Sequence, residues 1–221
     1  TFTPATLGVS GLTSNDVSSI AVRKAAGANP AVLAAAVIAA PKTDPGYVVF
    51  LDPATGALLG SAQVGANPDH VAFTPDGTKL LVAVEAETAG NANLDTTIGG
   101  IAIVDISGGF AAPTVTLADF TAWDAQAAAL AAAGVRIFPG SLPSTDFEPE
   151  YFALSADGTK AMVTLQEANA IAILDIATAT FTDIKPLGKK NFALGAHDFS
   201  DRDGAGGVNL ANPVTGQPVF G

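Results

Sequence analysis

Two stretches of the sequence, PDHVAFTPDGTKLLVAV at residues 68–84 and PEYFALSADGTKAMVTL at residues 149–165, are copies of one unit. In each copy a short apolar run enters a polar turn and a second apolar run leaves it. The Asp-Gly pair in each turn supplies the positive φ angle that a tight hairpin requires. The two copies therefore predict two β-hairpins of the same design, with turns at Asp76-Gly77 and Asp157-Gly158.

A further strand that ends in aspartate follows each hairpin. IAIVDI at residues 101–106 matches IAILDI at residues 171–176, and YVVFLD at residues 47–52 is a third version. Residues 57–64 and 180–184 then supply one more strand after a turn of small residues. Four-strand meanders repeated along a chain are typical of propeller blades. We therefore expect an all-β fold, a β-propeller with blades of the WD40 or YVTN kind.

The spacing of the repeats is irregular, which indicates insertions at residues 86–100 and 117–148. The alanine-rich part of the second insertion predicts one short helix near residues 121–134, with Gly134 as its C-cap. Blades of about 40–50 residues leave room for only about four or five in this chain. Residues 1–221 are thus expected to form a single propeller-type domain with a partial ring, a fragment of a longer chain. The rest of that chain, or another subunit, would complete the ring.

Charge and composition argue against several function classes. The net charge is −11, from 21 acidic and 10 basic side chains, and such a field repels nucleic acid and anionic lipid. There is no cysteine, which excludes disulfides and thiolate zinc sites. The most apolar window, residues 31–40, is too short to insert into a membrane and predicts a buried strand.

Carboxylates gather beside the repeated hairpins, at points that equivalent blades place on one face of a propeller. Hard oxygen ligands of this kind suit calcium. The alternative is that they are ordinary strand-end residues that face water. The candidate metal ligands are Glu85, Glu87, Glu148, Glu150, Glu167, Asp201 and Asp203.

Other motifs give weaker evidence for a functional site. The stretch DFSDRDG at residues 198–204 resembles a calcium loop but lacks the downstream glutamate of an EF-hand, so a looser calcium loop and a surface turn both fit. His70 is interpreted as a core or capping histidine, while His197 could join a mixed site with the nearby aspartates. No nucleophile-elbow, P-loop or dinucleotide motif occurs. The sequence therefore leaves the catalytic residues unknown and predicts no cofactor-binding residue.

Several stretches together resemble the choice-of-anchor I family of bacterial secreted proteins, over nearly the full length of the chain. They include KTDPGYVVF at 42–50, FTPDGTK at 73–79, AGVRIF at 133–138, FEPEY at 147–151, VTLQE at 163–167 and SDRDG at 200–204. The resemblance implies a propeller-like domain that is secreted, periplasmic or held at the bacterial cell surface. It also implies a longer natural protein, of which this chain is an interior portion.

Three functions follow as hypotheses. The first is an extracellular or cell-surface module with a binding or structural role, stabilised by Ca²⁺. The alternative is a metal-dependent phosphoesterase of alkaline-phosphatase-like or phytase-like type, which would hold two cations with Glu148, Glu150, Glu167, Asp201 and Asp203. Its candidates for binding phosphate are Arg136, Arg202, Lys189 and Lys190. The third is a structural subunit of a larger exported complex.

Overall fold

The computed structural model describes residues 16–27, 29–87 and 97–189. Those residues form three four-stranded antiparallel sheets, each a meander of consecutive strands, which we call blades 1 to 3. Blade 1 contains β1 (Asp16–Arg23), β2 (Val32–Ile38), β3 (Pro45–Leu51) and β4 (Leu58–Ala66). Blade 2 contains β5 (Pro68–Phe73), β6 (Lys79–Val84), β7 (Gly100–Asp105) and β8 (Thr114–Asp119). Blade 3 contains β9 (Pro149–Leu154), β10 (Lys160–Leu165), β11 (Ala170–Asp175) and β12 (Thr180–Pro186).

The chain divides into two compact units, Thr1–Leu187 and Gly188–Gly221. All three blades belong to the first unit. Of the second unit the structure describes only Gly188 and Lys189.

Alternating side chains of each blade pack face to face against the next blade. The core between blades 1 and 2 contains Val48 and Phe50 of β3 together with Leu80 and Val82 of β6. The core between blades 2 and 3 is built in the same way, from Leu81, Ala83, Ile101 and Ile103 on one side and Phe152, Val163, Leu165 and Leu174 on the other. Consecutive meanders packed in this way are the blades of a propeller, so the predicted fold class is confirmed.

Both Asp-Gly hairpins form as predicted. Gly77 and Gly158 have φ angles of 68° and 70°, a region that L-residues other than glycine rarely adopt. The hydroxyl of the residue two before each aspartate donates to its Oδ1 at 2.6 Å, from Thr74 in the first turn and Ser155 in the second. The repeated sequence thus encodes a repeated local structure.

The aspartates that end the third strands cap the turns that follow them. Asp52 Oδ1 accepts from the backbone N–H of Ala54 at 2.8 Å, and Asp105 Oδ1 accepts from that of Ser107 at 2.9 Å. Asp175 makes the same kind of bond with Thr178 at 3.0 Å. Since each carboxylate is engaged with its own turn, these three aspartates serve the fold.

The predicted helical insertion is present but divided. A 3₁₀ helix, Thr121–Gln126, leads into α1, Ala127–Ala133, and Gly134 ends α1 with a φ angle of 108°. A second short helix, α2 (Pro143–Asp146), was not predicted. Leu130 anchors the insertion in the core between blades 2 and 3. No helix among the described residues is long and apolar enough to cross a bilayer.

Candidate functional site

Five carboxylates lie where blades 2 and 3 meet, and we call them the acidic edge. Asp69 and Glu150 are the second residues of β5 and β9. Glu85 and Glu87 follow β6, and Glu167 follows β10. Strand pairing brings these points together within each blade, because Pro68 pairs with Val84 in blade 2 and Pro149 pairs with Leu165 in blade 3. The repulsion of Glu85 by Glu150 shows that the two pairs lie near each other.

Glu85 is the most perturbed member of the acidic edge. Its Oε2 accepts a short hydrogen bond from the Nδ2 of Asn67, which is itself buried. The backbone N–H of Glu85 also donates to the carbonyl of Asn67 at 3.2 Å. Burial, followed by repulsion from Glu87, Asp69 and Glu150, raises the pKa of Glu85 to about 7.

The same crowding affects the other blade. Burial is the main cause that raises the pKa of Glu150, and repulsion from Glu167, Asp69 and Glu87 adds to it. Burial also raises the pKa of Asp69, which the neighbouring His70 partly offsets. Carboxylates of blades 2 and 3 therefore share one electrostatic environment.

Two cationic side chains approach the acidic edge. Lys42 Nζ lies 3.4 Å from Glu87 Oε2, an exposed pair of little energetic value. Arg136 donates from Nε to the backbone carbonyl of Glu167. The Oε2 atom of Glu167 is buried and has no hydrogen-bond partner among the described residues.

The structure thus brings together four of the predicted ligands, Glu85, Glu87, Glu150 and Glu167. Glu148 is buried, with 7% of its surface exposed. Asp201 and Asp203 lie outside the described residues, as does the loop at 198–204 that contains them. Within residues 16–27, 29–87 and 97–189, no three acidic or histidine side chains are placed to share one metal ion.

Three residues of this region were not predicted as part of a site: Lys42, Asn67 and Asp69. The repeat contained a signal for two of them. Asp69 aligns with Glu150 inside the repeat of residues 68–84 and 149–165, and extending the alignment by one residue places Asn67 opposite Glu148. Lys42 lies in a different blade, and only the tertiary structure brings it near Glu87.

The ring of His70 lies between blades 2 and 3. It stacks on the ring of Tyr151 and meets the edge of Phe152. Burial lowers the pKa of His70, with Asp69 acting in the opposite direction. This packing agrees with the interpretation of His70 as a core histidine.

A family model described as the choice-of-anchor I domain matches residues 3–219. The chain belongs to the choice-of-anchor I domain family. Domains of this kind are typically surface-associated bacterial proteins. No curated protein matches the chain.

Solved structures similar to this choice-of-anchor I domain are remote. One is the Cps50 (Swd1) β-propeller domain of Myceliophteria thermophila, with 12% identity and a TM-score of 0.48 over 80% of this chain and 45% of that one. Another is a functionally unknown protein of Desulfotomaculum acetoxidans, with 12% identity and a TM-score of 0.44 over 80% and 43%. A third is a putative 6-phosphogluconolactonase of Bacteroides fragilis, with 16% identity and a TM-score of 0.41 over 68% and 34%. The chain spans less than half the length of each.

Proposed function

We propose that this domain is a secreted or surface-held propeller module with a structural or binding role, and that Ca²⁺ bound at the acidic edge stabilises it. The observation that carries this is the meeting of carboxylates from two blades at one place. Glu85 and Glu87 come from blade 2, and Glu150 and Glu167 from blade 3. Their mutual repulsion opposes the packing of the two blades, and a divalent cation would relieve it.

Two further observations support a cation at this place. The buried Oε2 of Glu167 has no hydrogen-bond partner within the described part of the chain, and a buried carboxylate oxygen is stabilised by a positive partner. Lys42 pairs with Glu87 through an exposed contact, and at Glu85 its attraction is smaller than the effects of burial and of the neighbouring carboxylates. Water and backbone carbonyls commonly complete the coordination of calcium, so a small number of carboxylates is sufficient.

Thermal unfolding in EDTA and then in excess calcium tests this proposal. A ligand at 100 times its dissociation constant stabilises the native state by about 2.7 kcal/mol, so we expect a clear rise in melting temperature. The variant Glu150→Gln should reduce that rise, whereas Asp183→Asn, on the outer strand of blade 3, should retain it. An identical melting temperature with and without calcium would show that the calcium part is wrong.

The phosphoesterase hypothesis is tested by a separate measurement. Hydrolysis of an aryl phosphate is followed with calcium, magnesium, manganese and zinc supplied in turn. Activity that Glu150→Gln abolishes would favour the enzyme. Among the phosphate-binding candidates, Arg136 donates its Nε to the carbonyl of Glu167, so a phosphate contact of its guanidinium is shown by a raised KM in Arg136→Lys at an unchanged melting temperature.

A further inference from the structure

A cavity of about 310 Å³ lies where blade 1 meets the first Asp-Gly turn of blade 2, and we call it the basic cavity. Its lining includes two cations, Arg23 at the end of β1 and Lys24 directly after it. Residues 74–77 of the turn belong to the same lining. The cavity is therefore at the end of β5, whereas Asp69 of the acidic edge is near the start of that strand. The two sites are distinct.

Neither cation of the basic cavity forms an ion pair with a carboxylate within the described part of the chain. Four other lysines each lie within 4.0 Å of a carboxylate oxygen: Lys42, Lys79, Lys160 and Lys185. The net charge of the chain is −11, so acidic partners are in excess. Two adjacent cations without such a partner create a local positive field that attracts an anion.

The guanidinium of Arg23 is held in place and retains hydrogen-bond donors. Its Nη1 donates to the carbonyl of Gly77 at 2.7 Å, and its Nη2 donates to that of Pro30 at 3.3 Å. Its Cζ lies 5.9 Å and 5.3 Å from the ring centroids of Phe73 and Phe110. The Nε atom is buried and has no hydrogen-bond partner among the described residues. A buried donor without an acceptor is unfavourable, so an anion that supplies acceptors would complete this side chain.

The junction of blades 2 and 3 shows that packing against the turn does not itself require a charge. A Cβ added to Gly77 would lie 2.6 Å from Arg23 Cδ, and one added to Gly158 would lie 2.9 Å from Pro75 Cδ. Arg23 and Pro75 therefore occupy corresponding places, each against the turn glycine of the next blade. An uncharged proline is sufficient at one junction, so the positive charge at the other is available for a ligand.

Blade 1 also differs in the connection that follows its first strand. Residues 24–31 join β1 to β2, whereas the shorter segments 74–78 and 155–159 make the same connection in blades 2 and 3. Ala26 and Asn29 exchange two backbone hydrogen bonds of 3.0 Å within this longer segment. Lys24 and Asn29 both line the basic cavity. The longer connection thus adds an ammonium group and an amide to the cavity wall.

The charges of the lining favour a ligand with a single negative charge. Asp76 opposes the two cations, because hydrogen bonds from Thr74 and Thr78 lower its pKa and keep it ionised. One net positive charge remains, which matches a carboxylate better than a phosphate dianion. A guanidinium can also donate two parallel hydrogen bonds to the two oxygens of a carboxylate.

The remaining lining favours an apolar body on that ligand. Val22 and Phe73 belong to the cavity wall, and the side chain of Val22 is 56% exposed. Sites for small organic ligands combine such apolar surface with a few charged or polar groups that fix the orientation.

We propose that the basic cavity binds a small organic acid, whose carboxylate accepts hydrogen bonds from Lys24 Nζ and from the guanidinium of Arg23. The apolar part of the acid lies against Phe73 and Val22. This site does not depend on calcium at the acidic edge, and its test does not require the domain to be an enzyme.

NMR titration of the ¹⁵N-labelled 221-residue chain with benzoate at constant pH tests the proposal. Benzoate carries one carboxylate on an apolar ring. We expect saturable shifts of the backbone amide signals of Lys24, Asn29 and Gly77. Acetate, which lacks the ring, and inorganic phosphate should each bind at least about fivefold more weakly, and benzyl alcohol, which lacks the charge, should give no saturable shift.

Variants assign the binding to the two cations. Lys24→Ala should weaken benzoate binding at least about tenfold at an unchanged melting temperature, because Lys24 is exposed. Arg23→Lys keeps the charge and loses the guanidinium, so it should also weaken binding. Lys160→Ala is the matched control: it removes an exposed lysine beside the turn of blade 3 and should leave the affinity for benzoate as it is.

Several results would overturn the proposal. They are the absence of saturable shifts with benzoate, or an affinity for benzoate that Lys24→Ala leaves unchanged. Tighter binding of phosphate than of benzoate would assign the cavity to a different class of anion. Benzyl alcohol bound as tightly as benzoate would show an apolar pocket in which the cations have no part. Thermal unfolding of each variant shows whether the blades remain folded, and Lys24→Ala provides the decisive comparison where Arg23→Lys is destabilised.

Discussion

The rings of His70 and Tyr151 are stacked with their centroids 4.4 Å apart and their planes inclined by 17°. The two residues occupy the same position in consecutive repeats, so a sequence repeat becomes a direct contact between blades. The acidic edge lies beside this contact, because Asp69 and Glu150 immediately precede the two rings. Blade packing and the proposed cation site are therefore adjacent.

The stack should control the titration of His70. Burial lowers the pKa of His70, so its neutral form is favoured in the folded state and stability falls as the pH drops below the ordinary value of 6.5. Tyr151→Ala opens this environment, and we expect it to raise the pKa of His70 and to cost about 1 kcal/mol of stability. NMR titration of the imidazole measures the first effect and urea unfolding the second. Tyr151→Phe keeps the ring and should leave both unchanged; an equal effect from Phe would contradict a role for stacking.

Glu85 should make stability depend on pH in the opposite sense. Its pKa is about 7 when folded and 4.5 when unperturbed, so the folded state holds a proton that the unfolded state releases between these values. Stability should therefore fall as the pH rises from about 4.5 to about 7. Glu85→Gln keeps an acceptor for Asn67 and should remove about 1–2 kcal/mol of that fall, a value reduced for the solvent screening of a half-exposed group.

Urea unfolding at a series of pH values measures this effect. Asp183→Asn, an exposed change on blade 3, should leave the slope as it is in the unmodified chain. An unchanged slope in Glu85→Gln would mean that Glu85 is not the titrating group. Excess calcium should flatten the slope of the unmodified chain, because a bound cation favours the ionised carboxylate.

The glycines of the two hairpin turns should resist substitution for two reasons. Each has a positive φ angle, and a Cβ added to Gly158 would lie 2.9 Å from Pro75 Cδ of the preceding blade. We expect Gly158→Ala to cost about 1–2 kcal/mol. Gly108→Ala is the matched control, since no atom lies within 4 Å of its added Cβ. Chemical denaturation compares the two variants, and equal stabilities would show that the turn carries no strain.

Arg23 should hold blade 1 to blade 2. Its Nη1 donates to the carbonyl of Gly77 at 2.7 Å, and its guanidinium lies 5.9 Å and 5.3 Å from the ring centroids of Phe73 and Phe110. We expect Arg23→Ala to lower the free energy of unfolding by about 2 kcal/mol. Arg23→Lys should retain only part of this stability, because lysine lacks the planar guanidinium that makes these contacts. Denaturant melts measure both. Lys24→Ala, at an exposed neighbouring position, should have little effect, and a loss as large as that of Arg23→Ala would contradict the assigned contacts.

Repeated local signals made most of the fold predictable. The Asp-Gly turns and the strands that lead to Asp52, Asp105 and Asp175 are determined by short-range geometry, and all are found where the sequence predicts them. β1 and β8 were not predicted, because neither follows an Asp-Gly turn nor matches one of the strand motifs that recur along the sequence. The boundary of the second insertion was wrong for a related reason, since residues 117–119 belong to β8 and complete blade 2.

The candidate site was predictable only as a set of residue types. Acidic residues at equivalent points of the repeat suggested a common face, and four of them do come together. Which carboxylate is most perturbed depends on burial beside Asn67 and on charges from the neighbouring blade. The burial of Glu85 and its distances to the other carboxylates arise from blade packing, and the sequence alone does not contain them.

The sequence by itself determined the hairpins, the Asp-capped turns and the family, because each depends on residues close together in the chain or on a linear pattern. The tertiary structure decided which residues of neighbouring repeats lie in contact. It stacked His70 on Tyr151, placed Pro75 against Gly158, and gathered the carboxylates of two blades at one edge. The physical reason is that a blade satisfies its backbone hydrogen bonds within its own sheet, whereas its apolar faces and its charges are satisfied only by the blade that packs on it.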